Sequence, residues 1–230
     1  FSTADWEKSA GAADKQLATL AGMPADTSAD QLNDEFTRAI MAAAKEKSMH
    51  TQWLTPLLGR KKELARMFPD CLLNMARLLL DDAQSRRLRI VTAESCTGGL
   101  LSGLLVEIPG SSKVFERGFV TYSNKAKEEV LGVPGDLLAD YGAVSEAVAR
   151  AMAEGALEES RANLSIAITG VAGPGGGTRL KPVGTVHFAL ARENAPIRHI
   201  VEHYGDIGRS EIRMASLETA LQMLMESVKS

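Results

Sequence analysis

The segment from Leu88 to Gly99 constrains this chain most. A β-branched run, Ile90-Val91-Thr92, is followed by a polar turn through Glu94, Ser95, Cys96 and Thr97. Then come Gly98-Gly99, and Leu100 to Leu105, where helical character restarts. The order strand, tight turn, helix is the opening of an α/β unit. It places Ser95, Cys96 and Thr97 at the carboxyl end of a strand and the amino end of a helix. Backbone N–H groups without intrahelical partners collect there, and the helix dipole favours negative charge. A hydroxyl in that position can attack a carbonyl while the same N–H groups hold the oxyanion. The pattern also describes an ordinary βα connection, with Thr97 capping the helix and Ser95 idle.

The alternation continues downstream. Phe68 to Ala83 reads as an amphipathic helix and Val114 to Tyr122 as a strand. A helix over Lys125 to Leu131 follows, capped by Ser123-Asn124, and Pro134-Gly135 breaks the chain. A helix starts at Ser145. Leu164 to Thr169, Val183 to Ala191 and His199 to His203 read as strands, and Ile207 to Val228 as the closing helix. These elements predict an α/β fold, a three-layer α/β/α sandwich with a mixed, mostly parallel five-stranded sheet. Residues 1–66 differ in composition. They are rich in Ala, Asp, Glu and Lys, hold both Trp residues and carry a helical pattern from Leu32 to Lys45. They are expected to be a helical extension without an assigned role, with the main domain over residues 67–230.

The bulk numbers exclude several function classes. A net charge of -3 gives no electrostatic case for nucleic acid or an anionic membrane. No apolar run approaches a membrane span, and the amino terminus lacks a basic-then-apolar signal pattern. The 2 Cys residues, Cys71 and Cys96, are too few for a disulfide scaffold or a zinc site and suit a reducing cytoplasm. His50, His187, His199 and His203 do not fall at metal-ligand spacing, and His187 and His199 lie in apolar strands, which assigns them a structural role. No metal and no cofactor is expected.

Three further stretches could carry chemistry. The glycine-rich run from Gly170 to Thr178 follows a strand and does not end in the Gly-Lys-Ser/Thr of a Walker loop. With so few side chains, it lets backbone N–H groups approach an anion or a planar ligand. Ser95 and Thr169 both end strands, so both can face one crevice. Tyr122, Ser123, Lys125 and Lys127 sit where a strand turns into a helix. A lysine there can serve as base to a serine if desolvation lowers its pKa; the residues alone do not choose between Lys125 and Lys127. Arg209 and Arg213 lie one turn apart at the start of the last helix, where an anion would favour them.

Six motifs occur in order. They are Thr92-Ala-Glu-Ser-Cys-Thr-Gly-Gly99, Pro109-Gly-Ser-Ser112, Tyr122-Ser-Asn-Lys-Ala-Lys127, Gly142-Ala-Val-Ser145, Thr169-Gly-Val-Ala-Gly-Pro-Gly-Gly176 and Pro182-Val-Gly-Thr-Val186. The set closely resembles the CinA carboxy-terminal domain family of nicotinamide mononucleotide amidohydrolases, from about Met67 onward. The resemblance implies hydrolysis of the nicotinamide mononucleotide carboxamide to the nicotinate nucleotide and ammonia, a step of pyridine nucleotide salvage, by a serine nucleophile and a lysine base without metal. It matches Ser95 to the nucleophile and Lys127 to the base, and sets Tyr122 beside them. Thr97, Gly98, Ser112, Thr169, Gly170, Gly173 and Arg209 become the substrate-binding candidates. The partner is then a small nucleotide, and a homo-oligomer, a dimer first, is the expected assembly. The nucleotide-processing domain of longer CinA proteins has no counterpart in residues 1–66. A regulatory module that binds nucleotide without turnover and an amidase for another small amide are the alternatives.

Overall fold

A computed structural model describes residues 67–229, of which those from Phe68 onward belong to one compact unit. The expectations for residues 1–66, including the Leu32 to Lys45 helix, lie outside the described residues. The elements are α1 (Asp70–Ser85), β1 (Ile90–Glu94), α2 (Leu100–Val106), β2 (Phe115–Val120) and α3 (Asn124–Leu131). They continue as α4 (Gly135–Tyr141), α5 (Glu146–Glu158), β3 (Leu164–Gly170), β4 (Thr185–Arg192), β5 (Arg198–His203) and α6 (Arg209–Lys229), with a 3-10 turn at Ser111–Lys113.

The sheet order is β2-β1-β3-β4-β5. β1 pairs parallel with both β2 and β3, while β4 is antiparallel to β3 and to β5. Only β4 therefore runs against the other four strands, and the sheet is mixed with mostly parallel strands. β1 is buried along its whole length and β3 along all but its last residue, as central strands covered on both faces must be. Alternation sorts their side chains. Ile90, Ile166 and Ile168 join a core with Leu79, Leu101, Leu104 and Leu217 from α1, α2 and α6. Val91, Ala93 and Ala167 face Met152 and Ala153 of α5 and Leu131 of α3 in a second core. The result is a sheet between two helical layers.

The second core is built from small residues, which brings α5 close to its neighbours. At Gly155 an added Cβ would lie 1.9 Å from the Leu131 carbonyl oxygen, so only glycine fits there. α3 and α5 start where their sequence says they should, because the Ser123 hydroxyl accepts from the Ala126 N–H and the Ser145 hydroxyl from the Val148 N–H. One expectation changes. Pro134-Gly135 does not simply break the chain; it opens the seven-residue helix α4, with Pro134 at its N-cap. A helix of two turns carries too little periodicity to be read from the sequence.

This topology positions a site. From β1 the chain crosses to β2 on one side, then returns to β3 on the other. The carboxyl ends of three adjacent parallel strands thus meet at a switch point, where open α/β sheets hold their ligands. Ser95 follows β1, Tyr122 follows β2, and Thr169 lies at the end of β3.

Candidate active site

Ser95 continues the β1 ladder with its N–H, which donates to the Ile168 carbonyl at 2.9 Å. The chain then turns back on itself, with the Gly98 N–H bonded to the Ser95 carbonyl at 3.1 Å. Gly98 and Gly99 take φ values of 62° and 90°, a left-handed conformation that glycine adopts without strain. The turn leaves the Ser95 hydroxyl on the wall of a cavity of about 300 Å³, which Tyr122, Lys127, Thr169, Gly170, Gly173 and Arg209 also line.

Lys127 reaches Ser95 from α3. Its side chain is fully buried, and its Nζ lies 3.0 Å from Ser95 Oγ and donates to the Thr121 carbonyl at 2.7 Å. No carboxylate among the described residues pairs with it. Burial holds the ammonium below the ordinary lysine range, since the charged form loses its hydration without gaining a counter-ion. Lys125, two residues earlier, is exposed and faces Glu128 and Glu129 at 3.6 Å. The geometry thus separates the two lysines, which the residue pattern alone could not.

The helix dipole, by contrast, is not free for a ligand. The Glu94 carboxylate is completely buried and accepts from the N–H groups of Gly99, Leu101 and Ser102 at 3.0, 3.1 and 2.8 Å. It also accepts from the Ser102 hydroxyl at 2.7 Å, which in turn meets the Thr92 hydroxyl at 2.7 Å. Glu94, not Thr97, caps α2. The expectation that N–H groups collected at this bend hold an oxyanion is narrowed accordingly. Glu94 takes Gly99 and the Ser95 carbonyl takes Gly98, which leaves the N–H groups of Cys96 and Thr97. The sequence carried a signal for this in a strand-ending acid six residues before the helix, but only the tight turn folds it back onto the helix end.

Cys96 is the neighbouring nucleophile to weigh. Burial pushes its thiol up to about 11, with the nearby Glu94 charge adding to the effect. At neutral pH it is a protonated thiol and a poor nucleophile.

The remaining candidates divide into two groups. Thr169 is buried and donates to the Ala143 carbonyl at 2.7 Å, which ties the end of β3 to the segment before α5. Arg209 spans the mouth, donating to the Gly173 carbonyl at 2.8 Å and to the Tyr122 hydroxyl at 3.3 Å. In the glycine-rich loop, the N–H groups of Gly173, Gly175, Gly176 and Gly177 are not engaged by any described residue. Thr97, Gly98 and Ser112 do not line the cavity. Thr97 is buried with its hydroxyl unpartnered among the described residues, and Gly98 packs near Arg213. Ser112 is exposed on the 3-10 turn.

Arg209 and Arg213 do not form one anion site as their spacing suggests; Arg213 donates to the Thr97 carbonyl at 2.7 Å. The histidines lie apart in the sequence, but β4 and β5 bring two of them together. His187 Nδ1 and His199 Nε2 lie 3.0 Å apart, and His199 faces Glu146 at 3.4 Å. Desolvation holds His187 at about 4, so it is neutral across the physiological range. Among the described residues no group of three or more His, Cys, Asp or Glu side chains could hold a metal ion, and no helix is long and apolar enough to cross a membrane.

Comparison with known proteins places this geometry among relatives. The model of the CinA C-terminal domain matches residues 73–228. A CinA-like protein of Anaeromyxobacter sp. (strain Fw109-5) is 44% identical over 188 residues, 76% of this chain and 45% of the relative. A CinA-like protein of Akkermansia muciniphila is 50% identical over 140 residues, 61% of this chain and 34% of the relative. The chain thus spans less than half the length of these curated relatives. The crystal structure of competence/damage inducible protein CihA from Agrobacterium tumefaciens superposes with a TM-score of 0.70 at 50% identity, covering 72% of this chain and 99% of that one. A competence-damaged protein (CinA) superfamily structure from Escherichia coli gives 0.65 at 35% identity, covering 73% and 98%.

Proposed function

We propose that this chain, which belongs to the CinA C-terminal domain family, hydrolyses the carboxamide of nicotinamide mononucleotide to nicotinate mononucleotide and ammonia. The observation that carries this reading is the 3.0 Å approach of the buried Lys127 Nζ to Ser95 Oγ, at a cavity with no carboxylate in its lining among the described residues. A lysine so placed favours its neutral form, and a neutral amine can take a proton from a serine hydroxyl.

In this mechanism Lys127 removes the Ser95 proton as the oxygen attacks the amide carbon. The carbonyl oxygen becomes an oxyanion, held by the N–H of Cys96, which lines the cavity beside Ser95. Collapse breaks the C–N bond, and the Lys127 ammonium returns its proton to the departing nitrogen, which leaves as ammonia. Water, deprotonated by the same lysine, then cleaves the acyl-enzyme ester and frees the carboxylate and Ser95. The unengaged amides of the glycine-rich loop, with Arg209 beside them, are a fitting cradle for the ribose phosphate.

Ammonia release from nicotinamide mononucleotide tests the reading. The native chain is expected to turn over, and Ser95→Ala to lose at least about 1000-fold in kcat. Retained turnover in Ser95→Ala removes Ser95 as nucleophile. No turnover on this substrate, with turnover on other small amides, keeps the dyad and changes the substrate.

A further inference from the structure

α6 brings two arginines to the site and uses them differently. Arg209 stays at the mouth. Arg213, half-buried, donates from Nη2 to the Thr97 carbonyl and packs so near Gly98 that an added Cβ there would lie 3.6 Å from Nη2. Its Nε–H is buried and unpartnered, and it forms no ion pair, among the described residues. The turn it touches is also held by the Glu94 carboxylate. Both charges act on Cys96, Glu94 pushing its thiol up and Arg213 pulling it down.

These contacts pose an electrostatic problem and its answer. A carboxylate buried one residue from an attacking hydroxyl opposes the negative charge that attack creates. Glu94 cannot be dispensed with, because four donors depend on it. An arginine without a counter-ion at the same turn restores the balance.

We propose that Arg213 is a positioning residue of the nucleophile turn, fixing residue 97 through its carbonyl and offsetting the Glu94 charge as the oxyanion forms on the Cys96 N–H. The proposal rests on Ser95 being the nucleophile. It gives the second arginine of α6 a role that the paired spacing of Arg209 and Arg213 does not suggest. The titratable and charged groups around the turn are Glu94 at the end of β1, Cys96 itself, Tyr122 after β2, Lys127 on α3, Tyr204 after β5, and Arg209 and Arg213 on α6.

The test reads the field at position 95 without substrate. In a chain carrying Ser95→Cys, Cys71→Ser and Cys96→Ala, the one thiol is titrated by its ultraviolet thiolate absorbance. Adding Arg213→Met is expected to raise the midpoint by about 1 pH unit, whereas Arg213→Lys, which keeps the charge, moves it by less than about 0.3. Arg213→Gln removes the charge but keeps a polar side chain at the turn; it gives the Met result with less risk to folding. With the native serine, Arg213→Gln is expected to lower kcat for nicotinamide mononucleotide by about 30-fold and to change KM by less than about 3-fold. A thiol midpoint that does not move in Arg213→Gln overturns the proposal, and so does a loss confined to KM. If even the native chain releases no ammonia, the substrate reading fails while the titration still decides the role of Arg213.

Discussion

Lys127 Nζ lies 3.0 Å from Ser95 Oγ although the two residues are 32 positions apart in the chain. Two strand ends and one capped helix achieve this. β1 and β2 are parallel neighbours, so the residues after them emerge side by side, and the Ser123 cap starts α3 in the register that turns Lys127 inward.

A buried lysine that acts as a base leaves a signature in pH. Activity needs the neutral amine, so kcat/KM rises as pH passes upward through the Lys127 pKa. Burial lowers that pKa, which moves the acid limb below the ordinary lysine range. Lys127→Arg, charged at every working pH, is expected to lose at least about 100-fold in kcat, checked by ammonia release across the pH range. An acid limb at the ordinary lysine value would contradict the assignment.

The same lysine is expected to cost stability. Its folded pKa lies below its unfolded value, so between the two the unfolded chain binds more protons and stability rises with pH. Lys127→Met, which removes the titration, is expected to have a higher Tm than the native chain at neutral pH. The gap should narrow as pH approaches about 10.4, the unfolded lysine value. Thermal unfolding of both chains over that window measures it; a constant gap would mean the lysine is charged when folded.

Glu94 is expected to matter more for folding than any exposed acid. Glu94→Ala leaves three N–H groups, that of Leu101 fully buried, and the Ser102 hydroxyl without their acceptor. A loss of about 3 kcal/mol in urea unfolding is expected, with Glu94→Gln losing less because one oxygen still accepts. Ser102→Ala, which removes one of the four, should lose about 1 kcal/mol.

The two cysteines should separate cleanly under alkylation. Cys71 is exposed, whereas Cys96 is buried with its thiol raised to about 11. Iodoacetamide at mildly alkaline pH is expected to modify Cys71 in the folded chain and spare Cys96, by mass spectrometry of peptides. Cys96→Ala should retain ammonia release, which separates it from Ser95→Ala.

Much of the architecture was legible in the residues. β1, β3 and their β-branched runs, the caps Ser123 and Ser145, and the long closing helix all announce themselves through local rules of periodicity and capping. The helix α4 did not, being too short for its pattern to rise above the turn residues that start it. Within the site, Ser95 and Thr169 were visible as polar strand ends. The placement of Ser112 outside the cavity was not, nor was the meeting of His187 and His199, since spacing along the chain says nothing about pairing between strands.

The sequence by itself determined the elements, their α/β order and the position of a hydroxyl at a strand-to-helix bend, because each depends on neighbours within a few residues. Tertiary structure alone decided which lysine meets Ser95, which acid quenches the α2 dipole and which arginine reaches the turn. Those choices rest on strand register, helix phase and burial, and burial changes what a charge costs. A lysine in water holds its proton firmly, but the same lysine closed inside this sheet and its helices gives it up more readily.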